Sequence, residues 1–99
     1  MSKATLVVSG TVKNPDKVTQ YKEVAIEVLK RHGAILPPLA REVTKILAGR
    51  QNPKSLLEIE FPNEQNILDA FNDPEYLAVV GLRDEGFEDL SIYIAASED

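Results

Sequence analysis

Two short proline steps, Asn14-Pro15 and Asp73-Pro74, constrain the fold of this chain more than any other sequence feature. The first step directly follows a strand-like run and opens a segment of helical periodicity. The second opens another helical segment; between it and the preceding strand-like run lies a first helical stretch, which begins at Asn63. Asn and Asp suit the cap position before a helix, and proline suits its first turn, where an N–H group has no intrahelical partner. Two strand-to-helix junctions in 99 residues predict an α+β fold in one domain covering residues 1–99.

The periodicity along the chain predicts the element order β-α-β-β-α-β, a ferredoxin-like split βαβ with a four-stranded antiparallel sheet. The adjacent Pro37 and Pro38 block regular ladder bonding, so the segment around them is expected at an edge or a bulge. The predicted elements are a strand over 5–12, a helix from Pro15 to Gly33, an edge or bulge over 34–39, strands over 41–47 and 55–61, helical pieces capped by Asn63 and Asp73, and a strand over 90–95.

Side-chain alternation divides the predicted sheet into two faces. The residues expected between sheet and helices are the strand residues Leu57, Ile59, Phe61, Leu90, Ile92 and Ile94 and the helical residues Ile67, Leu68, Phe71, Tyr76, Leu77, Val79 and Val80. The opposite face is half polar, which is unusual both for a core and for a solvated surface. The residues expected on it are Ser9, Thr11, Glu58, Glu60, Ser91 and Tyr93.

Composition excludes several classes of protein. The chain has no cysteine, which removes disulfides, thiol nucleophiles and cysteine metal sites. The N-terminus shows no apolar leader, and no apolar run approaches the roughly 20 residues of a membrane helix. These features predict a cytoplasmic protein without a membrane partner. Glu58 and Glu60 on the exposed face would repel phosphate, so no nucleic-acid partner is expected.

The net charge of −5 is unevenly distributed. Residues 1–54 carry ten Lys or Arg against four Asp or Glu, whereas residues 55–99 carry one against twelve. One interpretation is a basic patch for an anion or an acid-to-base self-association. The other is that the two halves interleave in space and most of these charges are solvated.

Few side chains qualify for chemistry. His32 is the only histidine and cannot form a histidine metal site alone; it caps a helix end or acts as a general base. Tyr21, Tyr76 and Tyr93 either line a pocket or bond to the backbone. Arg83 is either an anion clamp or a structural ion pair. Glu58 and Glu60 form either a carboxylate pair or ion pairs with neighbouring strands; no metal or cofactor is predicted.

A set of local motifs resembles the bacterial family DUF1330, a domain of unknown function in the dimeric α/β-barrel superfamily. The matching segments are Asn14-Pro15-Asp16, Tyr21, Arg31-His32-Gly33, residues 58–62, residues 71–76 and Arg83. Members often carry an Arg-Gly-Gly-like step in the second strand, where this chain has Pro37-Pro38-Leu39-Ala40-Arg41, so that only Arg41 matches.

The resemblance implies a homodimer whose half-polar sheet faces pair into a barrel. Two functions remain open. In the first, the dimer binds a small-molecule ligand without catalysis. In the second, it is a cofactor-free enzyme, monooxygenase- or isomerase-like, acting on a small apolar or carboxylated substrate in a cleft between sheet and helices. The ligand-binding candidates are Tyr21, His32, Arg41, Tyr76 and Arg83.

Overall fold

A computed structural model describes residues 3–97 and places helices on one face of a four-stranded antiparallel sheet. The strand order is β2-β3-β1-β4, so the predicted α+β, ferredoxin-like split βαβ is confirmed. The elements are β1 (Ala4–Val12), α1 (Pro15–Arg31), β2 (Ile35–Glu42), β3 (Ser55–Phe61), α2 (Glu64–Phe71), α3 (Pro74–Leu77), α4 (Val80–Gly86) and β4 (Phe87–Ala96).

The helix boundaries follow from the caps that the sequence predicted. The Asn14 side chain accepts a hydrogen bond from the Lys17 N–H group at 3.3 Å, and Pro15 takes the first helical position. Asn63 and Asp73 cap α2 and α3 in the same way, each at 2.9 Å. Gly33 follows the end of α1 with a φ of +98°, a conformation that glycine adopts without steric cost.

The second strand differs from the prediction in its limits. Ile35 lies opposite Glu60 and Leu39 lies opposite Glu58, so β2 carries two extra residues around its proline pair. This confirms the expected edge bulge, which an edge strand tolerates because one side of its ladder is unpaired.

The predicted strand over residues 41–47 is wrong beyond Glu42. Glu42 pairs with Ser55, the first residue of β3, so the chain beyond it has no strand left to pair with. Residues 43–54 instead form a loop that carries the exposed Leu47.

The core lies between the helices and one face of the sheet. Leu68 and Leu77, both expected inside, are exposed, and Ala70 is buried instead. The reason is that the buried face of α2 is centred on Ile67 and Ala70, three positions apart. Phe71 is only partly buried. The largest fully buried side chains are Tyr76, Phe61, Leu6, Ile59, Ile67 and Val28.

Strand β4 begins earlier than predicted and contains a bulge. Ser9 pairs with Ser91 but Thr11 pairs with Glu88, so Gly10 lies opposite two residues of β4 instead of one. One of them, Asp89, has a φ of +52°. The extra residue shifts the alternation, so that Phe87 and Leu90, three positions apart, both face the helices.

The basic and acidic halves of the chain interleave. Each of the three strand pairings joins a strand of residues 1–54 to a strand of residues 55–99. Within the described residues, five of six ion pairs also cross between the halves, and the exception joins Arg83 to its neighbour Asp84. The uneven charge therefore corresponds to attraction within the fold.

Candidate functional site

A cleft of about 470 Å³ lies between α2 and α4 at the β4 edge of the sheet. Helix α2 packs against α1, β1 and β3 more than against β4, and the core-facing side chains of β4 are only partly covered. The volume of the cleft lies within the usual range for small-molecule sites, about 300–1,000 Å³. The main contributors to its walls are Leu68, Phe71, Arg83, Asp84, Ile92 and Ile94.

A second cavity of about 70 Å³ lies deeper, between α1 and the sheet. Tyr21 lines only this inner cavity, among apolar side chains. The cleft and the inner cavity share one wall, because five residues line both: Leu6, Phe71, Arg83, Leu90 and Ile92.

Leu90 reaches this wall because of the β4 bulge and because Gly10 lies beside it. A Cβ atom on Gly10 would lie 3.1 Å from Leu90 Cδ1 and 3.4 Å from Leu90 Cα. Contacts that short would push Leu90 toward the cavities. Glycine at this position therefore keeps the wall in place.

Three of the predicted ligand-binding residues meet at the shared wall. The hydroxyl oxygens of Tyr21 and Tyr76 are 2.9 Å apart, and Arg83 Nη1 donates to the Tyr76 hydroxyl at 3.1 Å. Tyr76 is fully buried and lines neither cavity, so it positions the other two. Phe71 packs against Tyr76 with ring centroids 4.6 Å apart.

The two ends of this chain of hydrogen bonds, Tyr21 and Arg83, reach the cavities and differ in charge. Burial raises the pKa of the Tyr21 phenol well above its usual value, and the neighbouring Tyr76 raises it further, so Tyr21 stays neutral. Burial acts to lower the pKa of Arg83, but hydrogen bonds to Tyr76 and Asp84 outweigh it and raise that pKa. The site thus presents a permanent cation at the cleft and a neutral hydroxyl in the inner cavity.

His32 lies outside the walls of both cavities and joins a different cluster. Its Nε2 atom is 2.9 Å from Asp73 Oδ2, while Arg31 contacts Asp73 at 3.5 Å and Glu75 at 3.1 Å. The hydrogen bond to His32 lowers the pKa of Asp73, helped by the Glu75 N–H group and by Arg31. This cluster ties the end of α1 to the start of α3, and His32 is also the C-terminal cap of α1.

The sheet face turned away from the helices is called the open face below. Cross-strand partners share a face. Val7 lies opposite both Glu58 and Tyr93, and Thr5 lies opposite Glu60. The same rule places the other dimer-face candidates, Ser9 and Thr11, on the open face with their partners Ser91 and Glu88.

Arg41 also lies on the open face, away from the cleft. It contacts Glu58 at 3.5 Å, so Glu58 forms an ion pair with a neighbouring strand. Within residues 3–97, no group of three His, Asp or Glu side chains lies close enough to hold a metal ion. No helix in that part of the chain is long and apolar enough to span a membrane.

Some cleft residues were not predicted as site residues. The sequence predicts Phe71, Leu90 and Ile92 as core residues that face between sheet and helices, and Asp84 only as an acidic neighbour of Arg83. The available signal was the glycine at position 10 inside a strand of β-branched residues, which indicates close approach by a neighbouring side chain. That signal does not identify the neighbour.

The fold and the cleft define a class of small α+β proteins with a ferredoxin-like sheet and an apolar cavity between sheet and helices. The chain belongs to the family described as Domain of unknown function (DUF1330), which it matches over residues 3–96. The comparison with curated proteins gives no match.

Several solved structures share the fold. The RPA0582 protein of unknown function from Rhodopseudomonas palustris is 15% identical with a TM-score of 0.78, covering 99% of this chain and 84% of its own. SnoaB, a cofactor-independent oxygenase from Streptomyces nogalater, is 13% identical with a TM-score of 0.68, covering 100% and 96%. A hydroxynitrile lyase from Passiflora edulis is 10% identical with a TM-score of 0.69, covering 99% and 95%. At these identities the likeness concerns the fold alone.

Proposed function

We propose that this protein binds a small molecule in the cleft between α2, α4 and the sheet. The observation that carries the proposal is a cavity of about 470 Å³ whose lining, among residues 3–97, is mostly apolar with one cationic side chain, Arg83, and one anionic side chain, Asp84. Apolar concave sites with a few polar groups are the usual form of a ligand pocket. The apolar walls contribute affinity and the polar groups fix orientation.

A pair of leucine substitutions tests the cleft. Leu68 lines the cleft and is 40% exposed, so Leu68→Trp can fill the space without entering the core. Leu77 is also exposed but lies on α3, away from the cleft, and Leu77→Trp serves as the matched control. The probe is decanamide, a neutral amphiphile, with binding measured by calorimetry. We expect Leu68→Trp to abolish binding and Leu77→Trp to retain it; equal binding by both variants would refute the site.

We also propose that a second copy of this chain covers the open face. Ile35, Leu39 and Tyr93 are exposed there, beside the ion pair of Arg41 and Glu58. A face that carries both charges and apolar side chains is complementary to itself across a two-fold axis. In this arrangement residues 1–99 act as one domain of a homodimer in the form of a barrel.

Leu39→Asp and Leu77→Asp test the homodimer, because both leucines are 55% exposed and only Leu39 lies on the open face. We expect light scattering to give twice the chain mass for the wild type and for Leu77→Asp. Leu39→Asp should shift the mass toward the monomer at micromolar concentration. A monomeric wild type would exclude the dimer.

A second candidate function is a cofactor-free enzyme acting where the cleft meets the inner cavity. The chain of hydrogen bonds from Arg83 through Tyr76 to Tyr21 favours it, because such a chain can stabilise a developing oxyanion. SnoaB is a cofactor-independent oxygenase of the same fold. Since His32 and Arg41 line neither cavity, this candidate rests on Arg83 at the shared wall and on Tyr21 in the inner cavity.

Native mass spectrometry of freshly purified protein separates the two candidates. A retained molecule, once identified, is incubated with the wild type and with Tyr21→Phe. An enzyme converts it, and Tyr21→Phe slows the conversion while keeping the affinity. A binding protein releases it unchanged. The cytoplasmic location and the bacterial origin stay predictions from the sequence.

A further inference from the structure

Arg83 has hydrogen-bonding capacity that its neighbours do not use. A guanidinium group carries five N–H donors. Arg83 Nε donates to Asp84 Oδ1 at 3.0 Å and Nη1 donates to Tyr76 at 3.1 Å. Within residues 3–97, Nη2 makes no hydrogen bond, although the side chain is only 20% exposed and lines both cavities. A partly desolvated cation therefore keeps its outer N–H groups available at the wall of the cleft.

The geometry around Arg83 suits one kind of anion. Two protons of Nη2 and one of Nη1 are left for a ligand, and an arginine typically binds a carboxylate through two such hydrogen bonds. Among residues 3–97, Arg83 is the one cation in the lining of the cleft, so these donors can hold one carboxylate. Asp84, whose side chain is 59% exposed, occupies Nε and would repel a second negative charge.

The surroundings of Arg83 define the rest of the ligand. From the guanidinium group, apolar side chains extend along the sheet and along α2, among them Phe71, Ile92 and Ile94. The apolar part of a ligand would contact these apolar side chains. A second polar group of the ligand would lose its hydration there without gaining a hydrogen-bond partner.

We propose that the cleft binds an apolar monocarboxylate, with its carboxylate on Arg83 and its apolar body along Phe71 and Ile92. This inference rests on the proposed function and narrows it to one ligand class. Tyr76 acts as a positioning residue that holds Nη1, so that the remaining N–H groups of Arg83 face the cleft.

The test compares decanoate with decanamide, which have the same chain length and differ in charge. Affinities are measured by calorimetry at neutral pH for the wild type, Arg83→Gln, Arg50→Gln and Asp84→Asn. Arg50 lies in the exposed loop outside the cleft, so it controls for the general loss of a positive charge. Binding of decanamide reports on the fold of each variant and on the cleft itself.

We expect the wild type to prefer decanoate by about tenfold or more, because hydrogen bonds to charged groups are the strong ones. Arg83→Gln should lose this preference, because its affinity for decanoate falls more than its affinity for decanamide. Arg50→Gln should retain the preference. Asp84→Asn should tighten decanoate alone, because the competing carboxylate is gone.

The outcomes distinguish the two proposals. If Arg83→Gln keeps the preference, or if Arg50→Gln loses it equally, the carboxylate is not held by Arg83 and the inference fails while the cleft stands. The inference is also refuted if Arg83→Gln does not fold and Asp84→Asn leaves decanoate binding unchanged. If the wild type binds neither probe, the proposed function itself fails.

Discussion

At the scale of single residues, Tyr76 shows how a buried hydroxyl group can serve a surface that it does not reach. It is 1% exposed, yet its oxygen has hydrogen bonds to Tyr21 and to Arg83. A buried phenol without partners would cost free energy, so these bonds make the position tolerable. They also fix the direction of the guanidinium group. The cation at the cleft is therefore held by a residue of the core.

The phenol of Tyr21 gives an alkaline pH dependence. Its pKa is raised above the usual 10.0 by burial, so between pH 10 and its folded pKa only the unfolded chain releases this proton. Deprotonation then favours unfolding, and the free energy of unfolding should fall with pH by up to about 1.4 kcal/mol per pH unit. Urea unfolding at a series of pH values between about 9 and about 11 measures this fall in the free energy of unfolding. Tyr21→Phe should lose the fall and Tyr93→Phe should keep it; identical slopes in both variants would contradict the assignment.

Asp73 gives the opposite dependence at acid pH. Its pKa is lowered by the hydrogen bond to His32 and by the Glu75 N–H group, so its contribution is complete above its ordinary value of 3.8. The contribution is lost as the pH falls through the lowered folded pKa. Asp73→Asn keeps a capping side chain but removes the charge.

We therefore expect Asp73→Asn to be less stable than the wild type at neutral pH and the difference to shrink in acid. Chemical unfolding across the acid range measures it. A difference that stays the same at every pH would show that the charge of Asp73 contributes nothing.

At the scale of elements, α4 is fixed to the start of α1 through the backbone. The Gly86 carbonyl accepts hydrogen bonds from the Lys13 and Asn14 N–H groups at 2.8 and 3.0 Å. A Cβ atom on Gly86 would lie 2.8 Å from Val18 Cγ2 and 3.2 Å from the Val18 nitrogen. The close approach of the two elements therefore depends on the missing side chain.

Two glycines of α4 provide a matched comparison. Gly86→Ala should lower the free energy of unfolding by about 1–3 kcal/mol, because the new methyl group overlaps Val18. Gly81→Ala meets no atom within 4 Å and should raise it by about 0.4–1 kcal/mol, because alanine restricts the unfolded chain. Urea unfolding of both variants measures the two effects. If Gly86→Ala were as stable as Gly81→Ala, the close packing of α4 on α1 would be refuted.

Local signals explain which elements could be predicted. The caps at Asn14, Asn63 and Asp73 act within a few residues, so the sequence predicted them correctly. The end of β2 depends on where β3 begins, and the bulge at Asp89 depends on pairing with β1; neither is local. Tyr21, Tyr76 and Arg83 were named from residue type, but their meeting point required the fold.

At the scale of the whole molecule, the sheet alternates between the two halves of the chain. Strands β2 and β1 come from the basic half and strands β3 and β4 from the acidic half, and no two neighbours share a half. The ion pair of Lys17 with Glu85 and the cluster around Asp73 follow the same division. Individually such pairs are weak, but here they all favour the same arrangement.

A chain divided within the 43–54 loop should behave as two unstructured pieces that fold together. In either piece alone, each strand lacks the strands that it pairs with in the sheet. Circular dichroism should therefore show no β-sheet signal for either piece. Mixing them at low ionic strength should restore the sheet, and added salt should weaken the association because the pieces carry opposite charge. A folded piece on its own would contradict the interleaved arrangement.

The alternating sheet also determines the order in which the strands can pair while the chain is being synthesised on the ribosome. When residues 1–54 have emerged, both of their strands are present, but neither has a neighbour to pair with. The native pairing starts only once β3 has left the exit tunnel. The second pairing of β1, with β4, forms later still. A nascent chain of this kind has no sheet during most of its translation. The excess of lysine and arginine in residues 1–54 gives that unpaired half a net charge, which favours its solubility.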